Sequence, residues 1–206
     1  MNRIVHAVFF VVGLIGSAIF FYLLLPYWFW LVLSAGITFL YSAPKIPHPI
    51  FRALRKVAYG KTIFLALVWM NVTTLLPILI SGEPWRTDFT LFIISRFFLI
   101  YAICILFDYR DREDDKEAGI KSLITYLDER SITWLFAFSL LVFAIATILL
   151  YNFDQPVLII FLLLSPGIIT AFLYRYAKKN FSDIFYYFTL DGLMAFSALL
   201  TLITRI

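Results

Sequence analysis

Phe107-Asp108-Tyr109-Arg110-Asp111-Arg112-Glu113-Asp114-Asp115-Lys116-Glu117-Ala118-Gly119-Ile120-Lys121-Ser122-Leu123 follows an apolar run over residues 88 to 107 and precedes another over 132 to 151. It gathers six of the chain's thirteen carboxylates into ten residues. Apolar segments of this length bury themselves in lipid, and a dense polar stretch between two of them marks a membrane boundary. Charge at such a boundary has little reason to be so one-signed unless cations or a charged ligand meet it there.

The same reading extends along the whole chain. Hydrophobic residues make up 63% of the 206 positions and charged residues only 15%, which excludes an ordinary soluble domain and predicts an all-α, polytopic membrane helix bundle. Residues 1–206 are expected to form a single transmembrane domain. Apolar runs of spanning length fall at 4 to 25, 27 to 43, 62 to 81, 88 to 107, 132 to 151, 156 to 175 and 184 to 203, giving about seven helices. Pro26, the Pro44/Pro47/Pro49 cluster, Gly82-Glu83-Pro84 and Pro156 punctuate them where helices should stop or start. The single Cys104 lies inside an apolar run, so an intramolecular disulfide and a cysteine metal cluster are both excluded. A net charge of +4 is spread between the hydrophobic runs and forms no separate basic domain, which argues against nucleic-acid binding. Residues 4 to 25 exceed a usual signal core and lack a small-residue cleavage site, so they read as the first span.

Short cytoplasmic loops hold an excess of Lys and Arg. If seven spans alternate sides, all of the seventeen Lys and Arg except Arg86, Arg96 and Arg205 fall on one side, together with the N-terminus and the acidic run. That side is expected to be cytoplasmic. The Pro-rich loop, the acidic run and the 176 to 183 loop would then line one polar mouth.

If the fourth span continues as helix past Phe107, Asp108, Asp111 and Asp115 lie within an arc of roughly 60°, one above another, with Arg112 beside them. Stacked carboxylates repel unless a cation sits among them, and hard oxygen ligands suit Mg²⁺, which commonly bridges to substrate phosphates. A diphosphate is a natural third party, because nearby Lys or Arg can contact its oxygens. A solvated loop of mixed charge, its Arg and Lys pairing locally with the acids, is the plainer alternative.

The DxxDxxxD pattern of Asp108, Asp111 and Asp115, followed by Gly119-Ile120-Lys121-Ser122-Leu123, resembles the second aspartate-rich motif of the UbiA superfamily of intramembrane prenyltransferases. Tyr41-Ser42-Ala43-Pro44-Lys45 is similar to the family's YxxxK element, and Asp191-Gly192 to a pair in its final span. The resemblance implies a UbiA-like bundle, usually of nine helices. Both elements here sit two helices earlier than in the family, so the family's first two helices and its NDxxDxxxD motif are expected to be missing. By the same resemblance, Asp108, Asp111 and Asp115 hold Mg²⁺ and a prenyl diphosphate, Lys45 contacts the diphosphate, and Tyr41 helps position the reacting prenyl end. Lys121 and Arg112 are further candidate phosphate contacts. The implied activity is transfer of an isoprenyl group to a lipophilic, aromatic acceptor in a bacterial inner membrane, with a partner chain as one source of the missing aspartates.

Arg96 lies mid-span, where an ionised side chain needs a partner or a wet cavity; Asp191 is one candidate and snorkelling from a helix end is the other. Asn71, Thr73 and Thr74 read as interhelical hydrogen bonds ahead of substrate contacts. Trp28, Trp30, Trp85 and Trp134 sit near span ends, where aromatic anchoring is the default. His6 and His48 form no ligand pattern. Three other functions remain open: a non-catalytic isoprenoid-lipid-binding or complex-forming member, a CDP-alcohol phosphotransferase, and a small-solute transporter. For the phosphotransferase, Asp191-Gly192-Leu193-Met194-Ala195-Phe196 lacks the following arginine and downstream aspartates.

Overall fold

The computed structural model describes residues 3–42, 60–117 and 122–203. Helices occupy each of the seven apolar runs, and among the described residues there is no strand. They are α1 (Arg3–Leu24), α2 (Trp28–Ser42), α3 (Lys61–Ile80), α4 (Thr87–Arg110), α5 (Arg112–Glu117), α6 (Leu123–Tyr126), α7 (Glu129–Leu149), α8 (Val157–Ala177) and α9 (Asp191–Ile203), with α5 and α6 short and polar-flanked. Among the described residues, five stretches are long and apolar enough to cross a membrane: Ala7–Tyr41, Lys61–Ile80, Thr87–Arg110, Glu129–Phe153 and Val157–Ala177. The protein is an integral membrane protein.

The first of these stretches unites two expected spans. Pro26 lies in the tight turn Leu25–Tyr27, and both flanking residues, Leu24 and Trp28, keep right-handed helical dihedrals. At the start of a helical turn the missing proline N–H has no partner to lose, so Pro26 passes through the helix without reversing it. Two separate spans are expected here from the sequence, and the backbone instead runs on through Pro26 as one helical stretch. At 1.5 Å per residue, the 35 residues of Ala7–Tyr41 span about 50 Å, well beyond a hydrocarbon core of about 30 Å.

α4 is the centre of the bundle. All eight residues from Leu99 to Leu106 are buried, so this helix is covered on every side rather than on one stripe. It packs most extensively on α7 and then on α3, while α2 leans on α3 and α9 on α8. Polar side chains tie these contacts together, as they must where lipid offers no hydrogen bonds. Ser95 of α4 meets Thr147 of α7 at 2.6 Å, and Asn71 Nδ2 of α3 donates to Ser34 Oγ of α2 at 2.9 Å. Asn71 therefore has the interhelical role expected of it, whereas Thr73 turns back to the Trp69 carbonyl of its own helix.

Irregularities in the helices have local causes. α3 widens into a π turn at Asn71–Leu75 just before Pro77, whose ring would otherwise strike the carbonyl four residues back. In α8, Pro166 removes the donor that would serve the Leu162 carbonyl, and the hydroxyl of Ser165 donates to that oxygen instead at 2.8 Å. Gly167, the next residue, lies against the ring of Phe143, where a Cβ would have no room. A second π turn, Phe185–Leu190, leads into α9.

Candidate functional site

The ends of α2, α4 and α8 and the starts of α3 and α7 gather at one end of the bundle, with the segment before α9. Contacts between Tyr41 and Phe64, Lys61 and Asp115, Arg110 and Asp183, and Lys178 and Glu129 join them. Of the three segments expected to line one polar mouth, the acidic run and the 176 to 183 loop meet here, while the Pro-rich loop lies outside the described residues.

The run does not continue α4 as a single helix. α4 stops at Arg110, and Asp111 takes φ −83° and ψ 2°, a turn conformation, before α5 begins at Arg112. Backbone hydrogen bonds bridge the break, from Asp111 N–H to the Phe107 carbonyl at 3.1 Å and from Asp115 N–H to the Asp111 carbonyl at 2.9 Å. The consequence is a division of the three aspartates. Asp108 and Asp115 are buried, at 4% and 7% exposure. Asp111 keeps 41% of its side chain exposed and pairs with Arg110 at 2.7 Å.

Asp108 and Asp115 share their surroundings with the first turn of α3. Thr62 Oγ1 donates to Asp108 Oδ2, and Lys61 Nζ donates to Asp115 Oδ2 at 3.2 Å. Lys61 also lies within electrostatic range of Asp108. Tyr41 stands in the same field, beside the Phe64 ring at 6.2 Å and close enough to feel both Lys61 and Asp108. Tyr101 and Cys104 of α4, both buried, complete the wall behind Asp108. Cys104 is thus the packed side chain expected of it.

Lys61 and Thr62 were not singled out from the sequence as site residues. A signal was present, because a lysine in the first turn of a helix opposes the helix dipole and calls for an acid nearby. Which acid answers it depends on how α3 meets α4, and that is tertiary information. Lys45 and Lys121 lie outside the described residues, as does Gly119.

The opposite side of the motif carries a second network. Arg110 donates to Asp111, to Asp183 at 3.4 Å and to the Tyr187 hydroxyl at 3.1 Å, and its guanidinium covers the rings of Phe107, Tyr186 and Tyr187 at 4.8–5.5 Å. A polar groove of about 500 Å³ runs beside it, lined by Arg110, Asp111, Arg112, Glu129 and Asp183 among others. Arg112, expected as a phosphate contact, donates to Glu129 Oε1 at 3.0 Å and to the Leu127 carbonyl at 2.7 Å. Its buried Nε has no hydrogen-bond partner among the described residues. Glu129 also accepts from Lys178, so one carboxylate links the motif to the end of α8. Burial opposes charge on Lys178, but that hydrogen bond and the nearby Tyr174, Tyr109 and Glu129 outweigh it and hold the ammonium above its usual range.

Arg96 is buried in α4 and donates to the Met194 carbonyl of α9. Among the described residues no ion pair joins it to Asp191, which lies instead in the field of Arg110. The expected Arg96–Asp191 pair is therefore replaced by a charge-to-carbonyl bond.

Among the described residues, no group of three or more His, Cys, Asp or Glu side chains is placed to hold a metal ion by itself. Asp108 and Asp115 carry the hard oxygen donors that Mg²⁺ takes one or two at a time, its remaining positions being filled by water and phosphate oxygens. Asp115 already pairs with one cation, the Lys61 ammonium, at 3.2 Å.

A sequence model of the UbiA prenyltransferase family matches residues 2–199. Neither a curated protein nor a solved structure matches the chain.

Proposed function

Because the chain belongs to the UbiA prenyltransferase family, with which a function of the membrane prenyltransferase type goes, we propose that its polar end binds an isoprenyl diphosphate with Mg²⁺. The isoprenyl group then passes to a lipophilic, aromatic acceptor. The observation that carries this reading is the pair Asp108 and Asp115, buried at the end of the central helix and held by the adjacent residues Thr62 and Lys61 of α3. In the reaction the C1–O bond of the isoprenyl diphosphate breaks and its electron pair leaves with the diphosphate. A bond forms from C1 to the acceptor, which gives up one proton.

Mg²⁺, when bound, neutralises charge on the departing diphosphate. Asp108 and Asp115 would hold it, and Thr62 fixes the direction of the Asp108 carboxylate. Lys45 and Lys121 contact the diphosphate, and Tyr41 positions the reacting prenyl end. Asp111 and Arg112 join these ligands only by giving up Arg110 and Glu129, their present partners. The basic excess at this end of the bundle supports a cytoplasmic orientation of the site.

A second reading, a non-catalytic member that binds an isoprenoid lipid or awaits aspartates from a partner chain, is favoured by one observation. Asp115 already has a resident counter-ion in Lys61. Binding of farnesyl S-thiolodiphosphate to the purified protein, with and without Mg²⁺, tests the first reading. Mg²⁺-dependent binding should weaken by about tenfold or more in Asp115→Asn, and less in Asp111→Asn. Binding indifferent to Mg²⁺ and to both substitutions would refute the diphosphate reading.

A further inference from the structure

Two buried carboxylates lie at the site with one ammonium: Asp115 pairs with Lys61 at 3.2 Å, and Asp108 accepts a hydrogen bond from Thr62, the next residue of that turn. Their formal charges leave a net charge of minus one. A divalent cation entering beside Lys61 turns that sum to plus one, which attracts a diphosphate. The same cation entering without Lys61 only neutralises the two aspartates. Lys61 therefore has opposite effects on the two ligands: it repels a bare divalent ion and competes with it for the Asp115 oxygen, yet it strengthens the hold on an anion once the ion is in place.

We propose that Lys61 is a tethered cation of the diphosphate site, paired with Asp115 and next in sequence to the Thr62 that holds Asp108, where further metal charge would otherwise be needed, and that it transfers its hydrogen bond from Asp115 to a diphosphate oxygen when substrate binds. This rests on the diphosphate reading above and goes further by assigning a substrate contact to α3. The geometry suits the role. Lys61 is the first residue of α3, so its long side chain pivots from a fixed point, and it keeps 32% of its side-chain surface exposed beside an Asp115 that keeps 9%. Thr62, next in sequence and 1% exposed, anchors the backbone of that turn to Asp108. The lysine is thus free to exchange partners while the helix start stays in place.

The experiment compares the wild-type protein with Lys61→Gln and Lys61→Arg in detergent, using Mn²⁺ as a spectroscopic probe by electron paramagnetic resonance and farnesyl S-thiolodiphosphate as the anion. Lys61→Gln should bind Mn²⁺ alone about tenfold more tightly, since a unit positive charge has left the carboxylates. The same variant should bind the analogue in saturating Mg²⁺ about tenfold or more weakly, having lost a charge-assisted hydrogen bond. Lys61→Arg should leave both affinities near wild type.

The opposed signs are the readout, because a lysine that merely holds the fold together would lower both affinities on removal. Parallel losses, or no change in either, overturn the proposal. Failure of the wild-type protein to bind the analogue with any Mg²⁺ dependence refutes the diphosphate reading instead. In that case the Mn²⁺ measurement alone decides the place of Lys61, with a gain in Lys61→Gln supporting it and no gain overturning it.

Discussion

Thr62→Val tests whether α3 and α4 are locked at the motif by the hydrogen bond from Thr62 to Asp108. The substitution keeps the side chain's shape and β-branching and removes only the hydroxyl, so the cost is that of the bond and of the acceptor left behind. Thr62 is 1% exposed and Asp108 4%, so water cannot readily replace the lost donor. A hydrogen bond to a charged group in such a place is worth about 2 kcal/mol. For a chain of this size that corresponds to a fall of about 4–8 °C in the unfolding midpoint. The chain supplies its own reporter. Cys104, the single cysteine, is 2% exposed and lies one turn before Asp108 on α4, so a fluorogenic maleimide reacts with it only when this part of the bundle opens. Thr62→Val should label at lower temperature than wild type, and Thr62→Ser should recover most of the difference. In a double-mutant cycle, Thr62→Val should cost little once Asp108→Asn is present. An unchanged midpoint in Thr62→Val, or full additivity in the cycle, would refute the view that this bond fastens the site.

Gly167→Ala should destabilise the protein by about 1–3 kcal/mol, because its Cβ meets the Phe143 ring, and the cysteine-labelling midpoint should recover in part when Phe143→Leu is added. Ser165→Ala should cost about 1 kcal/mol by the same assay, since the Leu162 carbonyl beneath Pro166 loses its substitute donor. Arg110→Lys is not conservative here: a point charge cannot reproduce a planar fork that serves Asp111, Asp183 and Tyr187 while covering three rings. Amide exchange over Phe185–Leu190 should quicken in that variant, and unchanged protection there would show that Arg110 does not hold the segment.

What the sequence made legible follows from the range of the forces involved. Burial in lipid acts on each apolar run by itself, so every run is helical, and the ends of α3, α4, α7 and α8 fall within a few residues of the expected positions. The gathering of basic and acidic ends was also readable, because helices that alternate sides bring their ends together whatever their packing. The continuity of α1 into α2 was missed because Pro26 was read as a stop, although a proline at the start of a turn is compatible with an uninterrupted helix. The division of the aspartates was missed for a similarly small cause, the single turn conformation at Asp111 that restarts the helix. The Arg96–Asp191 pair could not be read from spacing alone: Asp191 directly follows the π turn Phe185–Leu190 and lies in the field of Arg110, while Arg96 takes the Met194 carbonyl.

These small departures all bear on the same question, how a membrane protein keeps buried charge in place. A carboxylate removed from water requires a partner, and for Asp108 and Asp115 the partners, Thr62 and Lys61, come from the start of α3; the exposed Glu129 likewise draws Arg112 from α5 and Lys178 from beyond α8. Residues that satisfy the charge therefore also fix how the helices meet. The turn at Asp111 lies between the two networks, with Asp115 on the Lys61 side and Asp111 paired to its neighbour Arg110. A substitution that straightened the break would be expected to disturb both networks together, the Lys61 side that faces the proposed ligand and the Arg110 side that holds the last helix.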